Sequence, residues 1–180
     1  MHHVSAAKPE GMREEIDSLQ QRKMKNLFEG LQQELGGKEG AKNLLAGLGR
    51  KLGRAGVNER EFALFLEKEV AAELSLILAQ MKKEWVDALD NADDMGKVSR
   101  ARDGVVRKAG IIDSMSKQAR KILAVAYCLR DAGRGGGFSN MSDSEAEDAF
   151  GKAVKEADEK IEKIARSEVS EVYRKIAFGA

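Results

Sequence analysis

The sequence predicts an all-α protein: an elongated antiparallel helical bundle of three long helices, with two shorter N-terminal helices laid against it. Three observations carry that prediction. Only nine of the 180 residues are aromatic and one is proline, a balance that favours helix over sheet. Apolar residues recur at steps of three or four along the chain, with no strand-length alternation anywhere. Two pairs at capping-box spacing, Asn58 with Glu61 and Ser142 with Glu145, mark where helices begin.

Residues 1–11 contain Pro9 and read as a disordered leader, so one helical-bundle domain is expected over 12–180. The first helix follows, with Met12, Ile16, Leu19, Leu27, Phe28, Leu31 and Leu35 at helical spacing and Gly36-Gly37 as its stop. The second, 39–54, gathers Leu44, Leu45, Leu48 and Leu52 on one side. Its glycines 40, 47, 49 and 53 make it a loose helix, since an interior glycine costs about 1 kcal/mol against alanine.

The third helix starts at the Asn58 cap. Phe62, Leu66, Val70, Leu74, Ile77, Met81, Trp85 and Leu89 follow at steps of three or four, until "DNADD" at 90–94 supplies a turn. The fourth runs to Asp131 or Ala132, with Gly133 beyond its end. Val98, Val105, Ile112, Ala119 and Ala126 stand seven apart in it, a heptad seam that only Lys108 interrupts. The fifth begins at the Ser142 cap and carries Phe150, Ala153, Ala157, Ile161, Ile164, Val172 and Ile176.

At 1.5 Å per residue the three long helices are each roughly 45–55 Å long, and short connections make successive helices antiparallel. If helices three and four turn back near residue 93, Phe62 lies level with residue 124. If helices four and five turn back near 138, Phe150 lies level with Ala126. One end of the bundle therefore gathers Phe62, Phe65, Tyr127 and Phe150, with Trp85 at the other.

Net charge is +1, but it is segregated by helix. Residues 95–134 hold ten bases and three acids, residues 59–94 four bases and ten acids, and residues 143–171 five bases and ten acids. The basic fourth helix thus lies between two acidic neighbours that neutralise it and help select the pairing. Exposed pairs contribute only about 0.2–1 kcal/mol each, so the pattern selects topology more than it stabilises.

Several chemistries are excluded. Cys128 is the only cysteine, so there is no internal disulfide and no cysteine-based zinc site. The two histidines, His2 and His3, fall in the leader, which removes Ser-His and Cys-His pairs and HExxH sites from the folded body. No metal site and no cofactor are expected. The longest apolar run, "ILAVAYCL" at 122–129, is too short to span a membrane, and the first residues do not form a secretory signal. A cytoplasmic location is expected; export without a leader is compatible with the same sequence.

"GRGGGFSN" at 133–140 puts four glycines in five residues. A P-loop needs Lys and then Ser or Thr after its last glycine, and a strand before it. Here Phe138-Ser139 follow, and a helix precedes. Asp143, Glu145, Glu147 and Asp148 already bring negative charge to the next helix start, so the loop reads as a turn. Cys128, inside the apolar run, reads as an inert buried thiol.

The function read from these features is non-catalytic: protein–protein contact, as in adaptors, chaperones or secretion-associated proteins, with self-association included. The partner-binding candidates lie on the second helix, the Leu44, Leu48 and Leu52 face beside Arg50, Lys51 and Arg54, which a partner helix could displace. The alternative is nucleic-acid or anionic-membrane binding through Arg100, Arg107 and Lys121, one stripe of the basic fourth helix. Its self-neutralisation argues against nucleic acid. A carboxylate-based enzyme is the second alternative.

Overall fold

The computed structural model describes residues 4–90, 117–132 and 137–178. Its elements are α1 (Val4–Leu35), α2 (Ala41–Ala55), α3 (Glu59–Asp90), α4 (Lys117–Ala132), a 3-10 turn (Phe138–Asn140) and α5 (Asp143–Phe178). Among the described residues there is no strand, and the helices pack as an all-α bundle. The heptad seam from Val98 to Ile112 and the turn near 93 lie outside the described residues, as do the surroundings of Trp85.

Helix ends follow local chemistry. Leu35 closes α1, and the amides of Gly36 and Gly37 donate to the Gln33 and Glu34 carbonyls in tightened final turns. Gly56 ends α2 with φ of 68°, a conformation only glycine adopts without strain. Its amide donates to Gly53 and that of Val57 to Leu52, so the last carbonyls are satisfied. Asn58 Oδ1 accepts from the amides of Arg60 and Glu61, and Ser142 Oγ accepts from the Glu145 amide at 3.1 Å.

Residues 4–11, read from sequence as leader, carry helical backbone, so α1 equals α3 in length. Pro9 has no N–H for the Ser5 carbonyl, so this stretch lacks one of its bonds.

α2 forms in spite of its glycines because its apolar face is covered. Leu44, Leu45, Leu48 and Leu52 are all buried in the common core, and tertiary packing outweighs the propensity cost. Gly40 caps α2 without a side-chain bond of its own. Glu147 of α5 supplies the acceptor instead, its Oε1 taking the Ala41 amide at 2.8 Å. One carboxylate thus serves the positive end of α2 while standing in the second turn of α5.

α4 packs between α3 and α5. Ile122 through Ala126 are five consecutive buried residues, so this helix is enclosed around its middle turn. It runs antiparallel to α5. Arg120 Nη1 stands 3.8 Å from Asp158 Oδ1, while Cys128 and Asp131 share a cleft with Ala149, Lys152 and Ala153. That register agrees with a turn near 138 to within about one helical turn.

The α3–α4 register departs from a symmetric hairpin about residue 93. Arg130 pairs with Glu67, and Tyr127 shares a groove with Arg60 and Leu64; the hairpin places residues 56 and 59 there.

Three phenylalanines from α1 and α3 meet at the aromatic cluster. Phe62 is fully buried and stacks on Phe65 with centroids 6.2 Å apart. Phe28 of α1 meets Phe65 edge-on at 6.0 Å. Tyr127 and Phe150 are half-buried against the same core.

Candidate functional site

An open groove of about 780 Å³ lies over the last turns of α4, with α3 on one side and α5 on the other. Its floor is Tyr127, Arg130 and Asp131; these point outward because Ile122–Ala126, Cys128 and Leu129 take the core-facing positions of α4. Arg60 and Leu64 form the α3 wall, and Leu64 is 52% exposed although α3 buries Phe62, Ala63 and Leu66 beside it. The α5 wall carries Glu156 and Glu159, then Lys160 and Lys163.

The floor is held in place. The Arg130 guanidinium lies 5.2 Å from the centre of the Tyr127 ring and is also paired with Glu67 of α3. A cation over a ring and an ion pair together fix both side chains. Burial, and then the charge of Glu67, push the Tyr127 hydroxyl up from its ordinary value against the opposing pull of Arg130. Tyr127 therefore stays neutral, with an O–H to donate.

A second cleft of about 360 Å³ lies beside the first, between α4 and the start of α5. Asp131 and Glu156 belong to both. Phe138, Met141, Ala149 and Ala153 make its wall mostly apolar, and Cys128 closes its base. Burial, with Asp131 adding to it, pushes the Cys128 thiol up to about 12. The nucleophilic form is the thiolate, so this thiol is inert near neutral pH. Gly137, with φ of 76°, turns the chain so that Phe138 enters the core from the 3-10 turn. In the sequence Phe138 is one apolar residue in a glycine loop, and nothing local marks it as buried.

The α2 residues singled out from sequence divide by depth. Leu44, Leu48 and Leu52 are 4%, 1% and 1% exposed, so they face the chain's own core and present no surface. Arg50, Lys51 and Arg54 are exposed, and Lys51 pairs with Glu34 of α1. Lys121 is exposed on α4; Arg100 and Arg107 lie outside the described residues. The groove residues carry no sequence motif. They are brought together from three helices, and the only local signal is Leu64, an apolar residue off the buried stripe of α3.

Among the described residues, no group of three or more His, Cys, Asp or Glu side chains could hold a metal ion, and no helix is long and apolar enough to cross a membrane. No protein-family model matches the chain, and no curated protein and no solved structure shows significant similarity to it.

Proposed function

We propose that the protein acts in the cytoplasm without catalysis, by protein–protein contact through the α3–α4–α5 groove, as an adaptor, chaperone or secretion-associated protein does. The carrying observation is the groove floor. Tyr127 and Arg130 are the residue types that dominate binding energy at interfaces, and here Arg130 lies over the Tyr127 ring and pairs with Glu67 before any partner arrives. Leu64 beside them offers apolar area without a cover. The α5 wall changes sign along its length, from Glu156 and Glu159 to Lys160 and Lys163, over about 10 Å. The partner that fits is an amphipathic helix with an apolar stripe, basic where it meets Glu156 and acidic where it meets Lys163.

Among the described residues, the two groups whose acidity moves, Tyr127 and Cys128, both move toward the neutral form, which supports a binding role over nucleophilic chemistry. The reading is tested by placing a photocrosslinking residue at position 64 and comparing capture from host extract with and without Y127A and K160E. A helical segment captured by the parent and lost in both variants supports it. Capture that is indifferent to both variants overturns it. Submicromolar affinity for single- or double-stranded oligonucleotides at about 0.15 M salt favours the nucleic-acid alternative, because non-specific binders reach only about 10⁻⁴–10⁻⁶ M there.

A further inference from the structure

The N-terminal half of α1 carries an apolar face that none of the described residues covers. Ile16 is 55% exposed and Leu19 51%. All residues from Glu14 to Leu19 are exposed, as are Gln21 and Arg22. At 100° per residue, Ile16, Leu19 and Lys23 share one side of the helix. Lys23 marks the edge of the body, where its Nζ donates to the Ala55 carbonyl at 3.1 Å, at the C-terminal end of α2. The buried residues Met24, Leu31 and Leu35 lie about a quarter turn round the helix. Leu27, packed against the core, lies about 20° from Ile16, so the Ile16–Leu19 face continues one flank of the buried stripe beyond the point where α2 covers it.

The charges beside it decide what fits. Along the segment, acids come first (Glu14, Glu15, Asp17) and bases follow (Arg22, Lys23, Lys25). Glu15 and Arg22 flank the apolar face on the same side and line one open cleft with Leu19. They stand seven residues apart, two turns of helix, too far to pair with each other. Turned end for end, the segment complements itself. With Ile16 of one copy against Leu19 of the other, Glu15 comes opposite Arg22 of the second copy, and the two-fold axis makes this pair twice. A parallel pairing brings acids beside acids and sets the two bodies, each beginning near Met24, side by side.

We propose that two copies of the chain associate through residues 14–23 of α1, packed antiparallel about a two-fold axis with Ile16 on Leu19 and Glu15 on Arg22. This surface is distinct from the groove, so the proposal does not rest on the groove reading. The contact is small, which places it among weak, transient interfaces, with a Kd on the order of 10⁻⁵ M.

Sedimentation velocity on the full chain, from about 1 µM to 1 mM, tests it. A reversible monomer–dimer equilibrium is expected, lost in I16E/L19E while helicity by circular dichroism is kept. E15R and R22E are each expected to weaken association by about tenfold, because each sets like charges together at both pairs. Mixing the two variants restores it, because each then meets the opposite charge. Three results overturn the proposal: no concentration dependence up to about 1 mM, a mixture no tighter than either variant alone, or association lost in Y127A and kept in I16E/L19E.

Discussion

Residues 117–132 and residues 14–22 are both stretches of single helix, and their packing differs completely. In the first, Ala119, Ile122–Ala126, Cys128 and Leu129 are buried between α3 and α5. In the second, even Ile16 and Leu19 lie in solvent. Both patterns carry apolar residues at helical spacing. The spacing identifies which side of a helix favours burial, but the rest of the chain decides whether anything lies there to cover it. The central helix teaches a second point. Its five consecutive buried residues include Ala124 and Ala126, and small side chains there let α3 and α5 approach closely.

The largest effect that tests this contrast is chemical. Cys128 has its thiol raised from 9.0 to about 12, so at pH 8 the thiolate fraction is lower than that of a free thiol by about a thousandfold. Labelling by a maleimide is expected to be slower by at least that factor until denaturant is added; rapid labelling of the native protein breaks the picture of an enclosed α4. The same shift carries a pH sign. A thiol whose pKa is raised by folding contributes stability that is whole below pH 9 and is lost as pH climbs from there toward 12. Denaturant midpoints should therefore fall across that window in the parent and less in C128A.

Packing comes next in size. Phe62→Ala should cost about 3–5 kcal/mol, because Phe62 is fully buried and stacked on Phe65. Phe150→Ala should cost roughly half of that, because Phe150 is only half-buried. Equal losses in urea melts would mean that Phe150 is more enclosed than the structure shows. Ala124→Leu should cost about 1–3 kcal/mol by overpacking the α4 neighbourhood.

Local caps lie in the middle. Ser142→Ala should cost about 1 kcal/mol, since it strips the Glu145 amide of its acceptor. The smallest effect belongs to the exposed stretch. Ile16→Ser and Leu19→Ser should each change monomer stability by less than about 0.5 kcal/mol. A loss above 1 kcal/mol would show that this face is covered within a single chain, and the contrast with α4 would collapse.

Helix existence and type, and the helix starts at Asn58 and Ser142, were legible in the sequence because they rest on bonds a few residues long; the start of α1 at Val4 was not. Asn58 and Ser142 bond amides two or three positions on. The site was much less legible. Leu44, Leu48 and Leu52 look the same in sequence whether they face a partner or their own core, and Leu64 signals only that it lies off the buried stripe. Tyr127 sits inside an apolar run and reads as buried; it becomes part of a groove floor lined on either side by α3 and α5.

By itself, then, the sequence determined five helices, their caps and the charge alternation that sets a basic helix between acidic ones. Tertiary structure alone decided that α2's leucines are core, that Phe138 turns inward, that Glu147 caps α2 across 106 residues of chain and that Arg130 meets Glu67. The physical reason is range. A cap or an αL glycine is settled by steric and hydrogen-bonding terms inside one turn, whereas burial, register and a shared groove depend on which surfaces compete for the same apolar neighbours across the whole chain.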